Sequence, residues 1–371
     1  MRRLAAFTCV LALSLGGCSE GSPVTADPTP SVGPESSRTA ATEGPNADET
    51  ADEIEYLLEA YRGTYPGAVV LVRVGDETRV VSGGHAVVGE PGAVTARHRF
   101  PVGSVTKTMV ATAVIQLVQE GKLSLSDSVR SWLPGMVPRG DRISVEQLLA
   151  HRSGLYNFTD SPRFEWTPGW DPPELLRLAT TEAPVHAPGT QSSYSNTNYI
   201  VLGLIVERVT GNRLEEVLQE RIFAPSDMRD TSLAKARVTD PPRAHGYEGR
   251  RDVTHDDLSF AWAAGGVVSS ARDLDAFLSG LTSGELLDAE AFEDMARPRG
   301  ELRNGGNVEY GLGLGRRHVR CATVIGHGGA VPGFLTEAWT SENGERAVVA
   351  MVSDAGSYTV LDGLLTTALC G

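Results

Sequence analysis

Strand-forming runs stand at the two ends of this chain, with helical signals between them. "PGAVVLVRVG" (66–75) and "TRVVSGGHAVVG" (78–89) are β-rich and bounded by glycine, which predicts an antiparallel pair. Strand signals return near the end in "YGLGLGRR", "TVIGHGGA" and "LTEAWTSENGERAVVAMVSD", the last with a hairpin turn at Glu342 to Gly344. From about 122 to 290 the pattern is of short helices broken by Pro and Gly: "SVEQLLAH", "PPELLRLAT", "TNYIVLGLIVERVTG" and "ARDLDAFLSGL". "DEIEYLLEAY", from Asp52, and "SYTVLDGLLTTALC" predict a helix before the first strand and another after the last. The fold class that follows is α+β: one antiparallel sheet built from both ends of the chain, flanked by the terminal helices, with a helical domain inserted.

The first residues read as an export signal. Arg2 and Arg3 precede an apolar run from Leu4 to Leu15, too short to span a bilayer, and "LGGC" ends it. That ending resembles a bacterial lipobox, so residues 1–17 are expected to be removed and Cys18 lipidated. Residues 18–50 are rich in Pro, Ser, Thr and acids. After Cys18 they hold no Leu, Ile or aromatic residue, and so read as a disordered tether about 30 Å in reach. The expected location is the outer face of the cytoplasmic membrane, with the folded domain at 51–371. Cys321 and Cys370 remain in an oxidising setting, and a disulfide between them is the simplest reading.

The formal net charge of −14 argues against a nucleic-acid partner, because phosphate binding needs clustered basic residues. Lysine occurs only at 107, 122 and 235, so each one merits inspection. "FPVGSVTKTM" places Ser104 and Lys107 three apart at the start of an apolar helix predicted to run to about Glu120. Positions i and i+3 share a helix face. A neutral, buried lysine there can accept the serine proton, and the helix N-terminus offers free N–H groups to an oxyanion. The pattern recurs at Ser232 and Lys235, amid polar sequence with no helix after it, and there it reads as a surface loop. "SYSNTNY" adds Tyr194, suited to proton shuttling, and Asn196, suited to orienting a carbonyl. "GHGGAVPGF" adds His327, Gly328 and Gly329 on a strand, where glycine permits close backbone approach. A cation at His327 would favour an anionic ligand. No H-E-x-x-H spacing and no G-x-S-x-G occurs, which disfavours a metal hydrolase and an α/β-hydrolase; no cofactor is expected.

S-x-x-K, Y-x-N and H-G-G, in that order, resemble the motifs of the serine penicillin-recognising family. The stretches "ISVEQLLAHRSGLYNF", "YSNTNYIVLGLIVERVTG" and "WAAGGVVSSARDLDAFLSG" look like family sequence too, and the likeness covers about residues 52–371. The resemblance implies the β-lactamase/DD-peptidase fold, with the site between sheet and helical domain. It implies Ser104 as nucleophile, Lys107 and Tyr194 as the proton-handling pair, and Asn196 on the substrate's amide carbonyl. It further implies an oxyanion hole from the N–H groups of Ser104 and Ala330, His327 on the substrate's carboxylate side, and Trp262 as a cleft-lining residue. The cysteine positions resemble the D-alanyl-D-alanine carboxypeptidase branch. His151, in "HRSG", is structural on this reading.

Two positions depart from that branch. Gly328 stands where a threonine or serine hydroxyl usually meets a substrate carboxylate, and Gly315 stands where an arginine follows "YGLGL". Arg316 comes next, with opposite parity, and Arg317 keeps the parity of Gly315 but lies about 7 Å further along a strand. The leading expectation is a monomeric, lipid-anchored D-alanyl-D-alanine carboxypeptidase-like hydrolase of D-amino-acid peptides, acylated by β-lactams. The alternatives are a β-lactamase or esterase of the same family, or a non-catalytic penicillin-binding sensor.

Overall fold

The computed structural model describes residues 45–166, 169–234, 242–302, 308–354, 356 and 358–370. The signal segment, Cys18, nearly all of the tether and Lys235 lie outside the described residues.

The first helix, α1 (Ala47–Ala60), begins inside the stretch read as tether. Asn46 and Glu49 form a reciprocal capping box, with the Glu49 N–H donating to Asn46 Oδ1 at 3.0 Å and the Asn46 N–H to Glu49 at 3.2 Å. The composition of residues 18–50 is tether-like as a whole, but a four-residue cap overrides it locally.

Eight strands form one antiparallel sheet: β1 (Gly67–Val74), β2 (Glu77–Gly84), β3 (Gly300–Leu302), β4 (Val308–Tyr310), β5 (Gly315–His318), β6 (Thr323–Val331), β7 (Phe334–Ser341) and β8 (Arg346–Val352). Their order is β2-β1-β8-β7-β6-β5-β4-β3, so the N-terminal hairpin docks on the last strand, as the two-ended strand pattern predicts. Gly344, at φ +75°, makes the β7–β8 turn. β1 is buried from Gly67 to Val72 without alternation, since helices cover both faces of the sheet there. β2, at the edge, alternates between exposed and half-buried.

One face packs on α1 and the C-terminal helix α4 (Tyr358–Cys370), with Ile54, Leu58, Val70, Val348, Leu361 and Leu364 in a shared core. The other face packs on α2 (Val105–Gln119) and the helical region beyond it, which includes α3 (Asn196–Thr210). α2 lies between sheet and helical region and is buried on almost every side, threonines included. Two of its buried threonines are paired: Thr108 donates to the Gly313 carbonyl at 2.8 Å, and Thr106 Oγ1 accepts from the Val267 N–H at 3.0 Å.

"YGLGLGRR" is not one strand. The chain leaves β4 at Tyr310, crosses α2 through residues 311–314, and re-enters the sheet at Gly315. Gly313, at φ +82°, presses on α2 so closely that a Cβ would strike Ala111 and stand 2.8 Å from the Tyr199 hydroxyl. β6 pairs with β7 along its whole length but with β5 only as far as Gly326. From His327 onward one edge of β6 is therefore open, and it faces the start of α2.

Cys321 and Cys370 are bonded, tying the end of α4 to the β5–β6 turn across 49 residues. Replacing both by serine should lower unfolding stability by roughly 4 kcal/mol in the loop-entropy model. A urea titration would show this, and an unchanged midpoint would refute it. Among the described residues no helix is long and apolar enough to cross a membrane.

Candidate active site

Ser104 is the N-cap of α2, yet its side chain makes no cap hydrogen bond. Its Oγ instead stands 2.9 Å from Lys107 Nζ and accepts from the Tyr194 hydroxyl at 2.7 Å. Lys107 Nζ is also 2.8 Å from Asn196 Oδ1 and 2.6 Å from the Ala264 carbonyl. The S-x-x-K spacing, read as a shared helix face, thus becomes a contact.

Lys107 is fully buried, and no carboxylate lies among its partners. Burial holds its pKa well below the usual lysine value. A neutral amine has two hydrogens and one lone pair. The hydrogens suit the Asn196 and Ala264 oxygens, and the lone pair is left for the Ser104 O–H. Tyr194 is half-buried, and desolvation pushes its phenol upward, so the hydroxyl keeps its proton and donates it to Ser104 Oγ. With the amine neutral, this arrangement has Lys107 as the acceptor and Tyr194 as a donor.

Two glycines bring the backbone of β6 onto the start of α2. Gly103, at φ +53°, leaves no room for a side chain: a Cβ would sit 2.6 Å from the Ala330 nitrogen. A Cβ on Gly329 would strike the Val102 carbonyl and stand 3.0 Å from the Ser104 nitrogen. The backbone nitrogens of Ser104 and Ala330 are thereby brought to one place beside Oγ, where an oxyanion hole requires them.

His327 projects into the site but is not the cation the sequence suggests. Its Nδ1 is 2.5 Å from the Gly328 carbonyl and its Nε2 is 3.0 Å from the Tyr310 hydroxyl. That pairing fits a neutral ring with hydrogen on Nδ1, accepting from a phenol that burial keeps protonated. Burial, with Lys107 nearby, lowers His327 to about 3. His151 lies behind Tyr194, ring centroids 4.3 Å apart, and accepts the Ser195 N–H and the Asn198 amide on Nδ1. It is buried and neutral as well, a support for the tyrosine.

These two imidazoles carry a pH prediction. Each is neutral in the fold and takes up a proton on unfolding below about 6.5, the usual histidine value, so the unfolded chain binds more protons there. Their contribution to stability is complete above about 6.5 and is lost as pH falls towards the lowered native values. The drop in urea midpoint from pH 7.5 to 5 should be smaller in His327→Gln than in the parent. Acylation should show no step from His327 between pH 5 and 8, and a step removed by His327→Gln would overturn its neutrality.

A cavity of about 460 Å³ opens over Ser104. Tyr194, Asn196, His327, Gly328, Gly329 and Ala330 all line it. Phe158, Trp166 and Phe260 make an aromatic wall, with Trp166 and Phe260 edge to face at 5.2 Å. Trp262 does not join it. Its ring turns to α3, where a Cβ on Gly203 would stand 2.8 Å from it, and packs against the helical core. Ser232 of the second S-x-x-K copy lies in a two-residue strand away from the cavity, a strand rather than the expected loop.

Sequence reasoning missed Tyr310, the Ala264 carbonyl and Glu337. Tyr310 opens the quoted "YGLGLGRR", and Glu337 is the only charge in "FLTEAWT", a run otherwise buried. Among the described residues no cluster of His, Cys, Asp or Glu could hold a metal ion.

The geometry agrees with comparisons to known proteins. A family model described as Beta-lactamase matches residues 50–366. PbpX of Bacillus subtilis, which its name calls a penicillin-binding protein, is 32% identical over 67% of this chain and 61% of its own length. The chain thus spans about three fifths of the length of the curated relatives it matches. The crystal structure of a D-stereospecific amidohydrolase from Streptomyces sp. superposes with TM-score 0.76 at 32% identity, covering 86% of this chain and 98% of the other. A D-amino acid amidase from Ochrobactrum anthropi SV3, in complex with L-phenylalanine, superposes with TM-score 0.78 at 28% identity, covering 86% and 98%. This chain belongs to the beta-lactamase family, the serine penicillin-recognising family.

Proposed function

We propose that the protein is a serine amidohydrolase acting on amides or peptides of D-amino acids through an acyl-enzyme on Ser104. The observation that carries this is the double engagement of Ser104 Oγ by Lys107 Nζ and the Tyr194 hydroxyl, beside the paired nitrogens of Ser104 and Ala330. Lys107 takes the Ser104 proton as Oγ attacks the amide carbon. The two N–H groups hold the oxyanion. The carbon–nitrogen bond then breaks, and the amine leaves with the proton from Lys107, relayed through Tyr194. Water attacks the resulting ester by the reverse proton path, releasing the acid and restoring Ser104. Asn196 binds Lys107 and fixes its orientation; the Asn196 amide N–H₂ faces Thr159 Oγ1 at 3.5 Å and is available to a substrate carbonyl.

An amidase is favoured over a D-alanyl-D-alanine carboxypeptidase for two reasons. Gly315 and Gly328 supply no side chain to a terminal carboxylate, and Arg317 is engaged elsewhere, 5.2 Å over the Trp339 ring and 3.9 Å from Asp362. Solved relatives of similar fold are named for D-stereospecific amide hydrolysis. β-Lactams are proposed to acylate the same serine, and Cys18 to anchor the enzyme in the outer leaflet. Incubation with D-phenylalanine amide, its L-enantiomer, a D-Ala-D-Ala peptide and a penicillin tests the reading. Expected are faster turnover of the D-amide than of the L-amide or the free-carboxylate peptide, and a penicillin adduct on Ser104 by intact mass. Preference for the D-Ala-D-Ala peptide would restore the carboxypeptidase reading, and absence of any acylation would exclude a serine hydrolase.

A further inference from the structure

The cavity does not stop at Ser104. Its lining also includes Gly326, Gly328 and Gly315 and a chamber end formed by Glu337, Trp339, Arg317 and Asp362 of α4. Glu337 is the cross-strand neighbour of Gly328. A Cβ built on Gly328 would stand 2.8 Å from Glu337 Oε1 and 3.0 Å from Oε2. The carboxylate therefore occupies the space where the resembled branch carries a substrate-binding hydroxyl. One Glu337 oxygen, Oε2, accepts from the Trp339 indole N–H. Oε1 has no donor among the described residues, and the side chain keeps partial exposure where it meets the cavity.

The charges around this point do not cancel. Arg317 stacks on Trp339 and lies 3.9 Å from Asp362. With that pair set against each other, Glu337 leaves the chamber one net negative charge when ionised. A carboxylate in a half-buried chamber disfavours an anionic ligand and favours a cation.

We propose that Glu337 makes the subsite beyond Gly328 select substrates whose leaving portion carries a positive charge, an ammonium standing where relatives hold a carboxylate. This rests on the serine acyl-transfer reading. Gly328 is then glycine because the acid fills its place, and the two positions act as one unit. Gly328→Thr alone, an apparent route to carboxylate recognition, would meet Glu337 and fail. Burial raises the Glu337 carboxyl, partly offset by the Trp339 N–H and by Arg317, with Asp362 opposing, so charge selection should strengthen as pH rises through its ionisation.

The test uses three phenyl esters of one D-amino acid whose rings carry a trimethylammonio, a tert-butyl or a carboxylate group. The first two differ in charge and hardly in shape. In the full chain, kcat/KM should follow the order cation, neutral, anion. In Glu337→Gln the cation-to-neutral ratio should drop by about tenfold, with a thermal melt of the variant reporting its folding. In the parent enzyme the same ratio should rise with pH, since trimethylammonio does not titrate. A ratio unchanged in Glu337→Gln, or flat with pH in the parent if that variant fails to fold, overturns the proposal and leaves the serine mechanism standing. Failure of all three esters to acylate the parent removes both.

Discussion

Lys107→Met should slow acylation of Ser104 about a thousandfold, in the range that general-base catalysis contributes. Stopped-flow acylation by an activated D-aminoacyl ester or a penicillin would measure it. Methionine fills a similar volume, so the core around α2 is kept. The cost is two oxygens, Asn196 Oδ1 and the Ala264 carbonyl, each left without a donor, and the gain is relief of a buried amine. Stability should therefore change far less than activity, which a thermal melt would check. Lys107→Arg should not rescue acylation, because a guanidinium stays protonated and cannot accept the serine proton. Acylation by Lys107→Met within tenfold of the parent would remove the lysine from the base role and return Tyr194 to it.

Gly329→Val should be nearly as damaging, by a different route. The added side chain meets the Val102 carbonyl and crowds the Ser104 nitrogen, so β6 must move away from the start of α2. That movement separates the N–H of Ala330 from that of Ser104. Loss of one oxyanion donor costs about 10²- to 10³-fold in acylation. Overpacking at this contact should also lower stability by about 1–3 kcal/mol. Tyr194 and Lys107 would keep their contacts with Ser104, so the variant separates oxyanion stabilisation from proton transfer. Acylation within threefold of the parent would show that the two nitrogens do not act together.

Much of this was legible because it is local. The strands at the two chain ends could bury their faces only against each other, and the sheet order follows from that. Ser104 and Lys107 share a helix face by spacing alone, and the helix behind them is too apolar to be anywhere but inside. The start of α1 was misplaced for an equally local reason, since the "NADE" cap is shorter than the window over which composition is judged. "YGLGLGRR" misled because period-two alternation cannot show a chain that leaves a sheet to cross a helix and returns.

What the sequence determined by itself was the family: S-x-x-K and two partner motifs in order, on a fold able to hold them together. The ionisation states and the proposed selectivity rest on the tertiary structure alone. His327 reads as a cation until Tyr310 and the Gly328 carbonyl pair both its nitrogens inside a dry pocket. Gly328 reads as a missing hydroxyl until strand pairing sets Glu337 in its place. Proton affinity depends on desolvation and on neighbours brought from distant parts of the chain, and neither is a property of residue order.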